Sequence, residues 1–187
     1  MSAFDPVRSF RKLAYNNALA NVRLHRACAA LLPGEFEAKR VSFFPSIKAT
    51  LNHILTVDWF YVDALEGGTL GLKAFDIEEP YDRLDGLSQE QADVDRKLVA
   101  FCEGLTPETA MRIINIERDG RVQRERADDV LNHLFQHQTH HRGQVHAMLA
   151  GTSVAPPQLD EFVVSDDARF RDAELMALDW DETKLMR

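Results

Sequence analysis

Apolar positions recur with the 3.6-residue period of a helix in four separate stretches of this chain. Residues 9 to 32 place Phe10, Leu13, Ala14, Asn17, Leu24, Ala27, Cys28 and Leu31 near one face, and Pro33-Gly34 stops the pattern. A second helix is predicted from about 45 to 66, with Pro45 as a first-turn proline and Gly67-Gly68 at its end. Its apolar groups run around most of the circumference, which marks an inner helix. Ser88, with Gln91 in capping-box register, predicts a third helix ending at Gly104. The fourth is predicted from about 127 to 150, ahead of Gly151.

Between these stretches the pattern changes. Residues 67 to 87 mix Gly, Pro, Tyr and acids without a period and read as a long connection. Alternating positions on both sides of Asp119-Gly120 predict a two-stranded hairpin at about 110 to 125. Beyond Pro156-Pro157, Ser165 is placed to cap a short fifth helix whose Phe170, Leu175, Leu178 and Trp180 imply docking. The fold expected is all-α: a four-helix bundle with a small β-hairpin before the last bundle helix and a short C-terminal helix. A single domain over residues 1–187 is expected, with 151–187 as an extension packed on it.

Composition narrows the class. With 45% apolar and 28% charged residues among 187, the chain can bury a core without a structural metal, and it holds no apolar run of membrane-spanning length. A cytoplasmic protein is expected. The net charge of -8, with arginines scattered among acids, argues against nucleic acid as a partner. Cys28 and Cys102 lack CxxC spacing and read as buried thiols.

Five of the seven histidines fall in the fourteen residues HLFQHQTHHRGQVH, 133 to 146. At 100° per residue Val130, Leu131, Leu134, Val145, Met148 and Leu149 share an arc of roughly 100°, with His137 and His141 on its border. His133 and His140 lie further round, and His146 beyond the opposite border. Residues four apart stack on one helix face, so His137 and His141 can converge on one ion. Two ligands seldom suffice. His53, on a face of the second helix with Val57, Phe60 and Ala64, is the natural third, and His25, between Arg23 and Arg26, the weaker alternative. His140, Arg142 and Gln144 are candidate polar neighbours of such a site.

Asp58 falls inside the second helix's apolar arc, where an unpaired carboxylate is costly. It either braces an imidazole or arginine or reaches the wet end of the bundle, and the pattern favours the second. Other metal or nucleophile architectures lack their letters: no ExxH pair, Gln138 where a zincin carries Glu, and neither GxSxG nor a glycine-rich phosphate loop. A mononuclear site of three neutral histidines remains.

HQTHHRGQ at 137 to 144, together with TLNHILTVDWFY at 50 to 61, resembles the signature of the DinB family, in the wider DinB/YfiT-like superfamily and distinct from the translesion polymerase that shares the name. The resemblance covers nearly the whole chain. It implies a divalent metal on His53, His137 and His141, one ion per chain, with zinc first and nickel or iron as alternatives. It also implies a homodimer, and several similar proteins transfer small thiols to electrophiles. Three imidazoles leave an open position on the ion, as catalytic sites do. The function expected is a metal-dependent thiol transferase acting on small electrophiles in stress or detoxification, with hydrolysis a weaker expectation. The alternative is a non-catalytic metal-binding stress protein. No catalytic residue is assigned.

Overall fold

The computed structural model describes residues 4–160 and 164–187. Four long helices form the bundle: α1 (Arg8–Cys28), α2 (Ile47–Glu66), α3 (Leu84–Glu103) and α5 (Ala127–Leu149), with the single turn α4 (Pro107–Ala110) between α3 and the hairpin. Helices α1 and α2 each pack against both α3 and α5, so α1 and α2 face one another across the diagonal. Contacts fix the directions. Asn21 meets Asp95 and His25 meets Ser88, so α1 and α3 are antiparallel. Asn52 meets Tyr81 just ahead of α3 and Asp58 meets Gln91 inside it, so α2 and α3 run parallel.

Parallel neighbours require the chain to travel back along the bundle, about 30 Å for twenty residues at 1.5 Å each. Residues 67–83 make that journey. They are partly ordered as a 3-10 helix, Gly71–Phe75, packed on α2 and on strand β1 (Ile113–Arg118). β1 pairs with β2 (Arg121–Arg126) in antiparallel register Arg118↔Arg121, and Gly120 supplies the left-handed turn residue at φ 66°.

Local chemistry explains several boundaries and corrects others. Ser46, not Pro45, begins α2: its Oγ accepts from the Ala49 amide at 3.0 Å. Gly67, at φ 85°, ends it in the left-handed conformation. Helix α1 stops at Cys28, short of the predicted 32. Helix α3 starts at Leu84, a full turn before Ser88, and Arg83 offers no side-chain cap. Ser88 is interior to α3 and its hydroxyl meets His25 Nδ1 at 2.8 Å. Leu87, fully buried, carries that first turn into the core.

The tail also differs from expectation. Ser165 opens a 3-10 turn (Ser165–Phe170) rather than capping an α-helix, and two short helices follow, α6 (Asp172–Leu178) and α7 (Glu182–Met186). Both pack on α1. Trp180 stands edge-on to buried Tyr15 at 4.8 Å, and buried Arg171 pairs with Glu182. The core is aliphatic, with Leu19, Leu24, Leu51, Leu55 and Leu134 at 0–1% exposure. A fully buried Leu or Ile contributes roughly 1.5–3 kcal/mol. Cys28 and Cys102 are buried free thiols whose pKa values burial pushes up to about 12, so they are poor nucleophiles. Among the described residues no helix is long and apolar enough to cross a membrane.

Candidate metal centre

Helices α2 and α5 run antiparallel, with Tyr61 against His133 at one end of their contact and His53 against His141 at the other. This crossing brings His53, His137 and His141 together, their ligand-capable nitrogens all within 4.8 Å of one another. His53 Nε2 and His137 Nε2 are 3.0 Å apart. Two neutral ring nitrogens at that distance either share one proton or both present lone pairs to a cation. Two donors each about 2.1 Å from one ion stand about 3.0–3.4 Å apart, so this pair already has ligand spacing. The donor set therefore fits a borderline divalent ion.

The surroundings keep the rings neutral. Burial is the first cause that lowers His53 to about 4 and His137 to about 3, and the other imidazoles add to it. Burial also lowers His141, against the hydrogen bond to Gln144. Neutral imidazole is the ligating form. His141 is buried, whereas His53 and His137 remain partly exposed, so the centre reaches solvent on one side.

Gln144 orients His141. With His141 Nδ1–H donating to Gln144 Oε1 at 2.8 Å, the Nε2 lone pair is left for the centre. The Gln144 amide then donates to His140 Nε2 at 3.2 Å, which ties exposed His140 in behind. His137 has no such brace: its Nδ1 is buried without a hydrogen-bond partner among the described residues. Phe44 forms one wall, its ring 4.3 Å from His53 and 5.6 Å from His141. Sequence reasoning did not find Phe44. The residue precedes Pro45 in a connection without a period, and no spacing signal points it at the histidines.

Other candidates lie elsewhere. His25 is buried against Ser88, apart from the cluster. His133 is exposed, its ring 5.1 Å from Tyr61 and 6.3 Å from His137. His146 lines a separate cavity with Asn16 and Gln158. Arg142 is not a neighbour of the centre: it turns into the core, where its guanidinium donates to Asn21 Oδ1 at 3.1 Å, to Gln138 Oε1 at 3.1 Å and to Asn17.

Asp58 is likewise not at a wet end. It is 1% exposed, accepts from Gln91 at 2.7 Å and from Gln138, and belongs to the same core network as Asp95 and Arg142. Burial, then the nearby Asp95, raise its pKa well above the ordinary carboxylate value. Asp95 is raised to about 6 by burial, although Asn17, Asn21 and Gln91 all donate to it.

The chain is thus a helical bundle with a histidine cluster on two neighbouring helices. The sequence model of the DinB family matches residues 4–173, and the chain belongs to that family. Two solved structures share the fold. A DinB-like protein from Bacillus cereus ATCC 10987 aligns with TM-score 0.54 at 18% identity, over 77% of this chain and 91% of that one. A DinB-like protein from Bacillus subtilis aligns with TM-score 0.53 at 20% identity, over 79% of this chain and 92% of that one. No curated protein matches the chain.

Proposed function

We propose that His53, His137 and His141 hold one divalent cation, zinc in the first instance, and that the protein is a metal-dependent transferase of small thiols to electrophiles. The observation that carries this reading is the convergence of three neutral imidazoles at a centre open to solvent on one side. Bound there, a divalent ion supplies Lewis acidity that brings the pKa of a thiol or water toward neutrality. Gln144 sets the His141 tautomer, Phe44 shields one flank from water, and the exposed edges of His53 and His137 leave the approach for a substrate. Action as a homodimer belongs to the same reading, by likeness to the family.

The test pairs the metal-loaded protein with the triple variant His53→Ala, His137→Ala, His141→Ala in a screen of small thiols against a chromogenic aryl halide. Metal-dependent turnover absent from the variant supports transfer. Full loading without turnover against any thiol favours a second reading, an ion that ties α2 to α5 and stabilises the bundle. The helix-crossing position of the cluster supports that alternative, and chelation would then lower Tm strongly.

A further inference from the structure

The amides of the core network have fixed directions. Arg142 donates to Gln138 Oε1 at 3.1 Å, so the Gln138 amide nitrogen turns to Asp58 Oδ2. Asn21 accepts from Arg142 through Oδ1 and gives its Nδ2 to both Asp95 oxygens, at 3.1 Å and 3.0 Å. Gln91 gives its two N–H groups to Asp58 Oδ2 at 2.7 Å and to Asp95 Oδ1 at 3.2 Å. Reversing that amide would set its oxygen against both carboxyl groups and strip them of those donors.

Two acceptors are left over. Gln91 Oε1 and Asp58 Oδ1 are both buried without a hydrogen-bond partner among the described residues. They sit on the two halves of a pair already joined by the 2.7 Å bond, and each residue is only 1% exposed. Two such orphans would each carry a desolvation cost. One proton on Asp58 Oδ1 removes both, because it turns one acceptor into a donor for the other. The pair then closes with N–H donating one way and O–H the other.

We propose that Asp58 is a carboxylic acid in the native protein, protonated on Oδ1 and donating to Gln91 Oε1, and that this proton locks α2 to α3. The charge balance agrees. With Asp58 neutral, the Asp95 carboxylate and the Arg142 guanidinium remain, one against one, bridged by Asn17 and Asn21. Burial acts in the same direction by raising the Asp58 pKa well above its ordinary value; of the charged groups facing it, Asp95 from α3 reinforces the rise and Arg142 from α5 opposes it. Gln138 ties the same carboxyl to α5, so losing the proton as pH rises would place a second carboxylate where three helices meet. The lock therefore opens on the alkaline side. It lies outside the histidine cluster and stands whether or not that cluster holds an ion.

Infrared spectroscopy at about pH 7.5 reads the proton directly, because exposed carboxyls are ionised there. Asp95, raised only to about 6, is largely ionised as well. The expected result is the carbonyl band of a carboxylic acid on the high-frequency side of amide I, moved to lower frequency by carbon-13 labelling of aspartate and missing from Asp58→Asn. Gln91→Met takes the acid's partner away and should move the band to higher frequency. In urea unfolding Asp58→Asn, whose amide offers an N–H to Gln91 Oε1, should keep most of the parent's midpoint and lose less of it as pH rises toward about 9. Asp58→Leu should fall well below both. Should a variant fail to fold, the isotope shift in the parent still decides whether the acid is there. A folded parent without the acid band, a band unmoved in Gln91→Met, or an Asp58→Asn protein as weakened as Asp58→Leu would each overturn the proposal.

Discussion

Two polar clusters share the same two turns of α5, one residue out of phase. His137 and His141 face His53 on α2, while Gln138 and Arg142, rotated by about 100° each, enter the core and meet Asp58, Asn17 and Asn21. The inner cluster is knit by amides that bridge its carboxylates and its guanidinium, with Asp58 Oδ1 and Gln91 Oε1 left without partners among the described residues. The outer one is built of neutral rings. Its rings lean on one another, His137 Nδ1 is unpartnered, and one side is open. The inner network is buried in the core and the outer cluster is reached by solvent from one side, so the contrast separates a scaffold network from a cluster placed where an ion could enter.

That contrast predicts opposite consequences of mutation. The largest effect on stability belongs to the inner cluster. Arg142→Met leaves Asp95 buried without its balancing charge and should cost about 3–5 kcal/mol in urea unfolding. Asp58→Asn should cost far less, because burial already favours the neutral carboxyl there. A large loss at Asp58 would mean that the carboxylate is ionised in the fold.

In the outer cluster the ranking inverts. His137→Ala should leave metal-free stability within about 1 kcal/mol of the parent, since it removes a partly exposed and poorly paired ring. Metal affinity should nevertheless collapse, as followed by competition with a chromogenic chelator. Gln144→Ala removes only the brace on His141 and should weaken the metal about 10–100-fold. Unchanged affinity in that variant would show that the His141 tautomer is set by something else.

The two clusters should also bend stability against pH in opposite senses. His53 and His137 are depressed to about 4 and about 3, below an ordinary imidazole value of about 6.5. Below about pH 6.5 the unfolded chain takes up protons that the native state refuses, so these two rings cost stability as pH falls from there toward about 4. Asp95, raised to about 6, and Asp58, raised well above its ordinary range, do the reverse. The native state keeps protons the unfolded chain releases above about pH 4, so stability is lost as pH rises toward about 6 and beyond. Urea midpoints taken with chelator present should flatten on the acid side in His53→Ala/His137→Ala. Asp95→Asn should flatten the loss on the rising side.

The outer cluster was legible in the sequence and the inner one was not, for a physical reason. The histidines converge by periodicity: His137 and His141 at i and i+4, and His53 among apolar positions of an inner helix, can be placed by a wheel. The hairpin was legible from Asp119-Gly120 in the same local way. Asp58 and Arg142 cannot be placed like that. A charge inside an apolar arc reads as an exposed end until its partners are known, and those partners, Gln91, Asn17 and Asn21, lie on other helices. Ser88 misled similarly: its capping-box spacing is genuine, but its hydroxyl serves His25 across the bundle, and α3 begins a turn earlier at Leu84.

The measurement closest to the central claim is metal analysis of untagged protein beside the variant His53→Ala, His137→Ala, His141→Ala, both shown to be folded. About one divalent ion per parent chain and none in the variant is the predicted result. A folded parent that takes up no ion after reconstitution, or a variant that keeps its full complement, would contradict the account.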